Sequence, residues 1–167
     1  MIYTIYSNKS ATLQEEFPTR NNGLDEVMFL GRQKEVGYAS RIIIHFPLDN
    51  YEFHYKGINL NSDVYTSSLK LFSTQANSNI IEGETIRCET VIGPTESSSW
   101  VAGTGRSHDI PTTEEGVSWT NRKAANVTWS DDAGVAKPGG FSQLLSDDAA
   151  TTIDKLGDIS FAVSSST

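Results

Sequence analysis

A chain of 167 residues is long enough to close one hydrophobic core, and 21 acidic against 13 basic side chains give it a net charge of −8. That charge has the wrong sign for a phosphate backbone, and no apolar run approaches the roughly 20 residues of a spanning helix. Nucleic acid and membrane are therefore not expected partners. Leu and Ala are scarce beside Ile, Val, Thr, Tyr and Phe, a bias that suits pleated strands. The expected fold class is all-β.

Met1 opens straight into an alternating segment, Ile2–Tyr6, without the basic and apolar regions of a secretion signal. A second short strand is expected around Ala11–Leu13. Phe17–Gly23 follows as a loop, where Pro18 fixes one dihedral and Asn22-Gly23 readily supplies positive φ. Val27–Leu30 reads as a compact strand stopped by Gly31. Tyr38–Phe46 has the strongest strand pattern, with Tyr38, Ile42, Ile44 and Phe46 on one face and Arg41, Ile43 and His45 on the other. Pro47 then breaks the pairing.

Leu48–Ser62 carries too few core signals to assign. Ser67–Phe72 and Glu84–Ile92 read as strands, the second closed by Gly93-Pro94. Cys88 lies within it beside Ile86, Thr90 and Ile92 at period two, as a small buried apolar side chain. With one cysteine the chain forms no internal disulfide, which fits folding in a reducing cytosol. Phe141–Ala150 reads as a short helix or a loop edge, and Asp158–Val163 as a last strand. Such spacing implies an antiparallel β-sandwich or jelly roll with long Trp-containing loops. Residues 1–163 are expected to form one domain. Ser164–Thr167 is then a mobile tail or the start of a C-terminal continuation.

Residues Ser97–Phe141 hold all three tryptophans. Trp100, Trp119 and Trp129 have two readings: a platform for stacking sugar rings, or core residues pinning loops, each indole N–H bonded to one partner. Val at i−2 before Trp119 and Trp129 favours the core. Among hard-cation ligands, Asn21, Asn22 and Asp25 form one cluster of loop oxygens and Asp131 with Asp132 another. Neither has the spacing of a known calcium loop, and turn hydrogen bonding is the favoured account of such residues. A structural calcium is thus the only cofactor left open. His45, His54 and His108 share no metal-ligand spacing. Ser107-His108-Asp109 reads as polar surface, and no active site is assigned. The acceptor triplet Asn126-Val-Thr128 carries no weight without secretion.

Several segments together resemble one family. Pro18-Thr-Arg-Asn-Asn-Gly-Leu-Asp-Glu-Val-Met-Phe-Leu-Gly31 resembles its opening turn and strand, and Ser40-Arg-Ile-Ile-Ile-His-Phe-Pro-Leu48 its central strand. Ser67-Ser-Leu-Lys-Leu-Phe72 resembles its ATLRLY strand. Ser98-Ser-Trp-Val-Ala-Gly-Thr-Gly105 and Gly116-Val-Ser-Trp-Thr-Asn-Arg122 resemble its paired signatures, SWxxGTG and GVTWNNR. This is the pattern of DNRLRE-type β-sandwich modules. The resemblance implies a fold like carbohydrate-binding jelly rolls, used as appendages of bacterial surface proteins or as parts of tailed-bacteriophage particles.

The polar insertion Arg106–Glu115, between the two Trp signatures, is similar to the phage examples. A virion protein made in the host cytoplasm needs neither export signal nor disulfide, which fits this chain. The expectation is a non-enzymatic virion component, a capsid decoration or a tail or neck protein, touching other virion proteins in a symmetric assembly. Its contact is expected at Arg106, Ser107, His108, Asp109 and Thr112. The alternative is a carbohydrate-binding module whose partner is a host-surface or other polysaccharide. The family continues past the last strand with a closing strand that this chain lacks. That implies either a longer protein or a strand donated by a neighbour, and edge-strand logic favours the first.

Overall fold

The structure, a computed structural model, describes residues 4–33, 35–47, 66–71, 85–87, 89–91, 99–109, 114–124, 127–131, 133–140, 142–144, 150–152 and 159–164. It divides into two compact units, one of Met1–Leu48 with Val91–Phe141, the other of Asp49–Thr90 with Ser142–Thr167. Among the described residues there is no helix, and the regular structure is strand.

In the first unit, β1 (Lys9–Gln14), β2 (Gly31–Arg32) and β3 (Ala39–His45) form an antiparallel sheet in the order β1-β3-β2. The run Ile42-Ile43-Ile44 makes β3 the central strand, because β-branched side chains pack well on a pleated surface. β2 and β3 are joined by a tight turn in which Gln33 N–H donates to Tyr38 O and Gly37 N–H to Gln33 O, both at 2.9 Å. Gly37, with φ of +77°, supplies the left-handed residue that turn needs.

Register fixes the core face. Ala11 stands opposite Ile43 and Leu13 opposite Arg41, so these four share one side of the sheet. Ala11, Leu13 and Ile43 are buried there against Trp100, Val117, Trp119 and Trp129. The deepest residue of β3 is therefore on the Arg41 face, while Ile42 and Ile44, on the more apolar face, are only half-buried.

Two expected strands are not formed as read. Thr4–Ser7 joins no ladder, and Tyr6 is exposed. Val27–Leu30 is not strand either: Phe29 N–H donates to the Thr12 hydroxyl at 3.1 Å, not to a ladder carbonyl, and Val27, Phe29 and Leu30 are exposed. Pairing starts only at Gly31.

In the second unit, β4 (Thr66–Leu71) pairs antiparallel with β9 (Ile159–Ser164), Leu69 opposite Phe161 and Leu71 opposite Ile159. β5 (Thr85–Arg87) pairs antiparallel with β8 (Ala150–Thr152). β6 (Glu89–Val91) pairs with β7 (Ser142–Leu144). The expected single strand over 84–92 is thus two short ones with different partners, and Cys88 lies outside the described residues. Where a helix was one expectation for 141–150, the described residues 142–144 and 150 are strand.

Candidate functional site

The first unit is organised around one buried asparagine. Asn21 is fully buried, and its carboxamide makes four hydrogen bonds. The Oδ1 accepts Gly105 N–H at 2.7 Å and Gly23 N–H at 3.3 Å. The Nδ2 donates to Ala102 O at 2.6 Å and Val117 O at 2.8 Å. A primary amide has two acceptor and two donor positions, so Asn21 is saturated.

Glycine makes that approach possible. A Cβ on Gly105 would meet the Asn21 backbone oxygen, and one on Gly116 would meet Gly103 Cα. Gly103 and Gly116 also hold φ of +80° and +108°, which L side chains rarely adopt. Three segments distant in sequence (the turn at 18–23, the Trp-Val-Ala-Gly-Thr-Gly run and the Gly-Val-Ser-Trp run) meet in this knot. Backbone bonds extend it: Val117 N–H to Val101 O at 2.7 Å, Val101 N–H to Arg122 O at 3.0 Å and Leu24 N–H to Gly105 O at 3.0 Å.

The proposed calcium ligands turn out to be parts of the same knot. Asn21 Oδ1 already takes two N–H donors, so it has no lone pair left for a cation. Asn22 is 1% exposed and donates from Nδ2 to Thr12 O at 3.2 Å and Gln14 Oε1 at 3.3 Å. Asp25 accepts Ser107 N–H on its two oxygens at 3.1 and 3.3 Å. Among the described residues no three His, Cys, Asp or Glu side chains converge as a metal site. Hydrogen bonds to segments distant in sequence engage the Asn21 and Asp25 side chains and the Asn22 Nδ2, while Asn22 Oδ1 is buried without a donor.

Asp25 also fixes the loop named as a partner contact. It holds Ser107 by its N–H while Arg20, stacked 3.9 Å over the Phe17 ring, donates to Ser107 O at 3.1 Å. Beyond that anchor the chain turns, with Asp109 N–H on Arg106 O at 3.2 Å. His108 and Asp109 face water, 73% and 42% of their side chains exposed, with His108 Nε2 3.7 Å from an Asp109 oxygen. Arg106 and Ser107 are half-buried, and Thr112 lies outside the described residues.

The three tryptophans are core. Trp100, Trp119 and Trp129 are 5%, 8% and 0% exposed, which leaves no open ring face for stacking on a sugar. Trp129 Nε1 donates to Ser118 O at 2.9 Å. Two cations from the sheet cover the other rings: Lys9 Nζ lies 4.4 Å from the Trp100 centroid and the Arg41 guanidinium 5.2 Å from that of Trp119. Lys9 donates to Trp100 O at 2.6 Å and Arg41 to Gly139 O at 2.9 Å. Burial pulls the Lys9 ammonium below its ordinary pKa.

Sequence reasoning missed a shallow cleft of about 210 Å³ lined by Gln14, Glu16, Phe29, Gln33, Tyr38, Ala39 and Ser40. Phe29 and Tyr38 are 49% and 43% exposed. Glu16 accepts Gln33 Nε2 at 2.6 Å. Reading 27–30 as a strand hid Phe29's place in this cleft. No protein family, curated protein or solved structure matches the chain.

Proposed function

We propose that this chain is a non-enzymatic structural component of a tailed-phage virion, built on a DNRLRE-type β-sandwich and acting through protein–protein contacts. It decorates the capsid or forms part of the tail or neck, in a symmetric assembly. The observation that supports this reading is the convergence on Asn21. Three of the segments that carry the resemblance, far apart in sequence, are joined by one buried side chain. Their shared residues are then scaffold, and the Arg106–Asp109 turn, anchored at Ser107, is what the scaffold presents. Quantitative mass spectrometry of purified particles tests it. A fixed copy number per particle, reduced by a His108→Ala, Asp109→Ala double variant that still folds, is the expected result. Absence from particles sinks the reading.

One observation favours a second reading, glycan binding. The cleft between Phe29 and Tyr38 combines exposed aromatic rings with amide, carboxylate and hydroxyl side chains, a lining suited to a sugar ring. Its volume lies below the roughly 300–1,000 Å³ of sites for drug-sized ligands, a size for one ring only. Retardation in affinity electrophoresis on a neutral polysaccharide, lost in Tyr38→Ala, is the expected behaviour. Unchanged mobility on neutral polysaccharides removes this reading.

A further inference from the structure

Asn22-Gly23 is the single Asn-Gly step in the chain. In such a step the glycine nitrogen attacks the asparagine Cγ, because no Cβ on the following residue hinders the approach. The N–Cγ bond forms, the Cγ–Nδ2 bond breaks, and ammonia leaves with a proton. The resulting succinimide takes up water to give aspartate or, through the other carbonyl, isoaspartate. No enzyme or oxidant is needed.

The fold opposes each requirement of that step. The attacking Gly23 nitrogen is held as a donor to Asn21 Oδ1 at 3.3 Å. The Asn22 side chain is pinned by donating to Thr12 O and Gln14 Oε1, at 3.2 and 3.3 Å. At 1% exposure, Asn22 is also shut off from the water that the second stage consumes. The next residue is fixed too, Leu24 N–H donating to Gly105 O at 3.0 Å.

The product, in turn, does not fit the place it came from. Where Asn22 Nδ2 donates to two oxygens, an aspartate sets an oxygen against both. Gln14 can turn its amide round to donate; the Thr12 carbonyl cannot. An isoaspartate lengthens the backbone by one carbon next to Gly23, where even a Cβ would meet the Ala102 carbonyl. The Asn22 Oδ1 is already buried without a donor, so no spare partner is at hand for a carboxylate.

We infer that Asn22 is a spontaneous deamidation site closed by the Asn21 knot, and that each conversion during an opening of the knot blocks its reclosure. The turn at 22–23 thereby acts as a one-way record of unfolding. This is independent of what the chain binds.

Peptide mass spectrometry on the full chain, incubated at mildly alkaline pH with and without urea, tests it. Asn61 and Asn77, each followed by Ser, serve as internal clocks. Conversion at Asn22 is expected to be about tenfold or more slower in buffer than in urea, because only opened molecules react. Asn21→Ala, which frees the Gly23 nitrogen, is expected to bring the buffer rate close to the urea rate. Should that variant not fold, wild-type chain in sub-denaturing urea provides the same reading, its rate rising as the knot opens. The Asn22→Asp chain is expected to unfold at lower urea than wild type. Equal Asn22 rates with and without urea overturn the shielding, and an Asn22→Asp chain as stable as wild type overturns the block to reclosure.

Discussion

The sheet and the knot of the first unit are held by different physics. In the sheet, Ala11, Leu13 and Ile43 bury apolar surface against the tryptophans, and the loss of any one group is local. In the knot, one carboxamide satisfies two carbonyls and two N–H groups from three segments, among glycines that allow no side chain. A hydrogen bond contributes about 1 kcal/mol net, but a buried partner left unpaired costs about 1–3 kcal/mol. A small polar residue in the knot is therefore expected to matter as much as a large apolar one in the sheet.

Substitutions can break that equivalence. Asn21→Ala leaves the Ala102 and Val117 carbonyls and the Gly105 amide without this partner, and is expected to cost about 3–5 kcal/mol. A lower urea midpoint at unchanged slope reports it. Leu13→Ala, the counterpart in the sheet, is expected to cost about 2–5 kcal/mol through lost transfer and a residual cavity. If Asn21→Ala proves milder than Ile43→Val, at about 0.5–1.5 kcal/mol, the knot is ornament and the sheet carries the unit.

Protonation effects are smaller and sharpen the same contrast. Lys9 has a folded pKa below the ordinary 10.5, so between the two values the unfolded chain binds more protons. Stability therefore rises with pH through that window and levels off above 10.5. Lys9→Met removes this alkaline rise in an unfolding titration.

Asp131 has the opposite sign. The Val135 amide, first, then Lys137 and the Ala133 amide, hold its carboxyl below the ordinary value. Its contribution is present above pH 3.8 and is lost as pH falls through the lower folded value. Asp131→Asn is expected to remove this acid-side loss from the unfolding titration, a small effect where the hydrogen bonds are exposed, and to speed amide exchange at Ala133 and Val135, whose N–H groups donate to Asp131 Oδ1.

The sheet was legible in the sequence where alternation is the signal. β1, β3, β4 and β9 lie within a few residues of where period-two patterns put them. The buried face of β3 was not, because apolar counting favours Ile42 and Ile44, whereas Arg41 reaches a ring that sequence does not place beside it. Val at i−2 did point to Trp119 and Trp129 as core. Asn21 read as a turn residue or a cation ligand and not as the centre of a knot, since its partners lie 81 to 96 residues away and nothing local marks them. Gly103, Gly105 and Gly116 stand within the Trp signatures, but nothing local to them marks the close backbone approach they make around Asn21.

Native-state hydrogen exchange followed by NMR compares the two regions most directly. The Gly105 amide, buried on Asn21 Oδ1, and the Val117 amide on Val101 O are expected to exchange only through global unfolding, as slowly as Ile43 in β3. Asp109, bonded to Arg106 O in the exposed turn, is expected to exchange orders of magnitude faster. Gly105 and Val117 exchanging as fast as Asp109, while Ile43 stays protected, would contradict the knot as the frame of this unit.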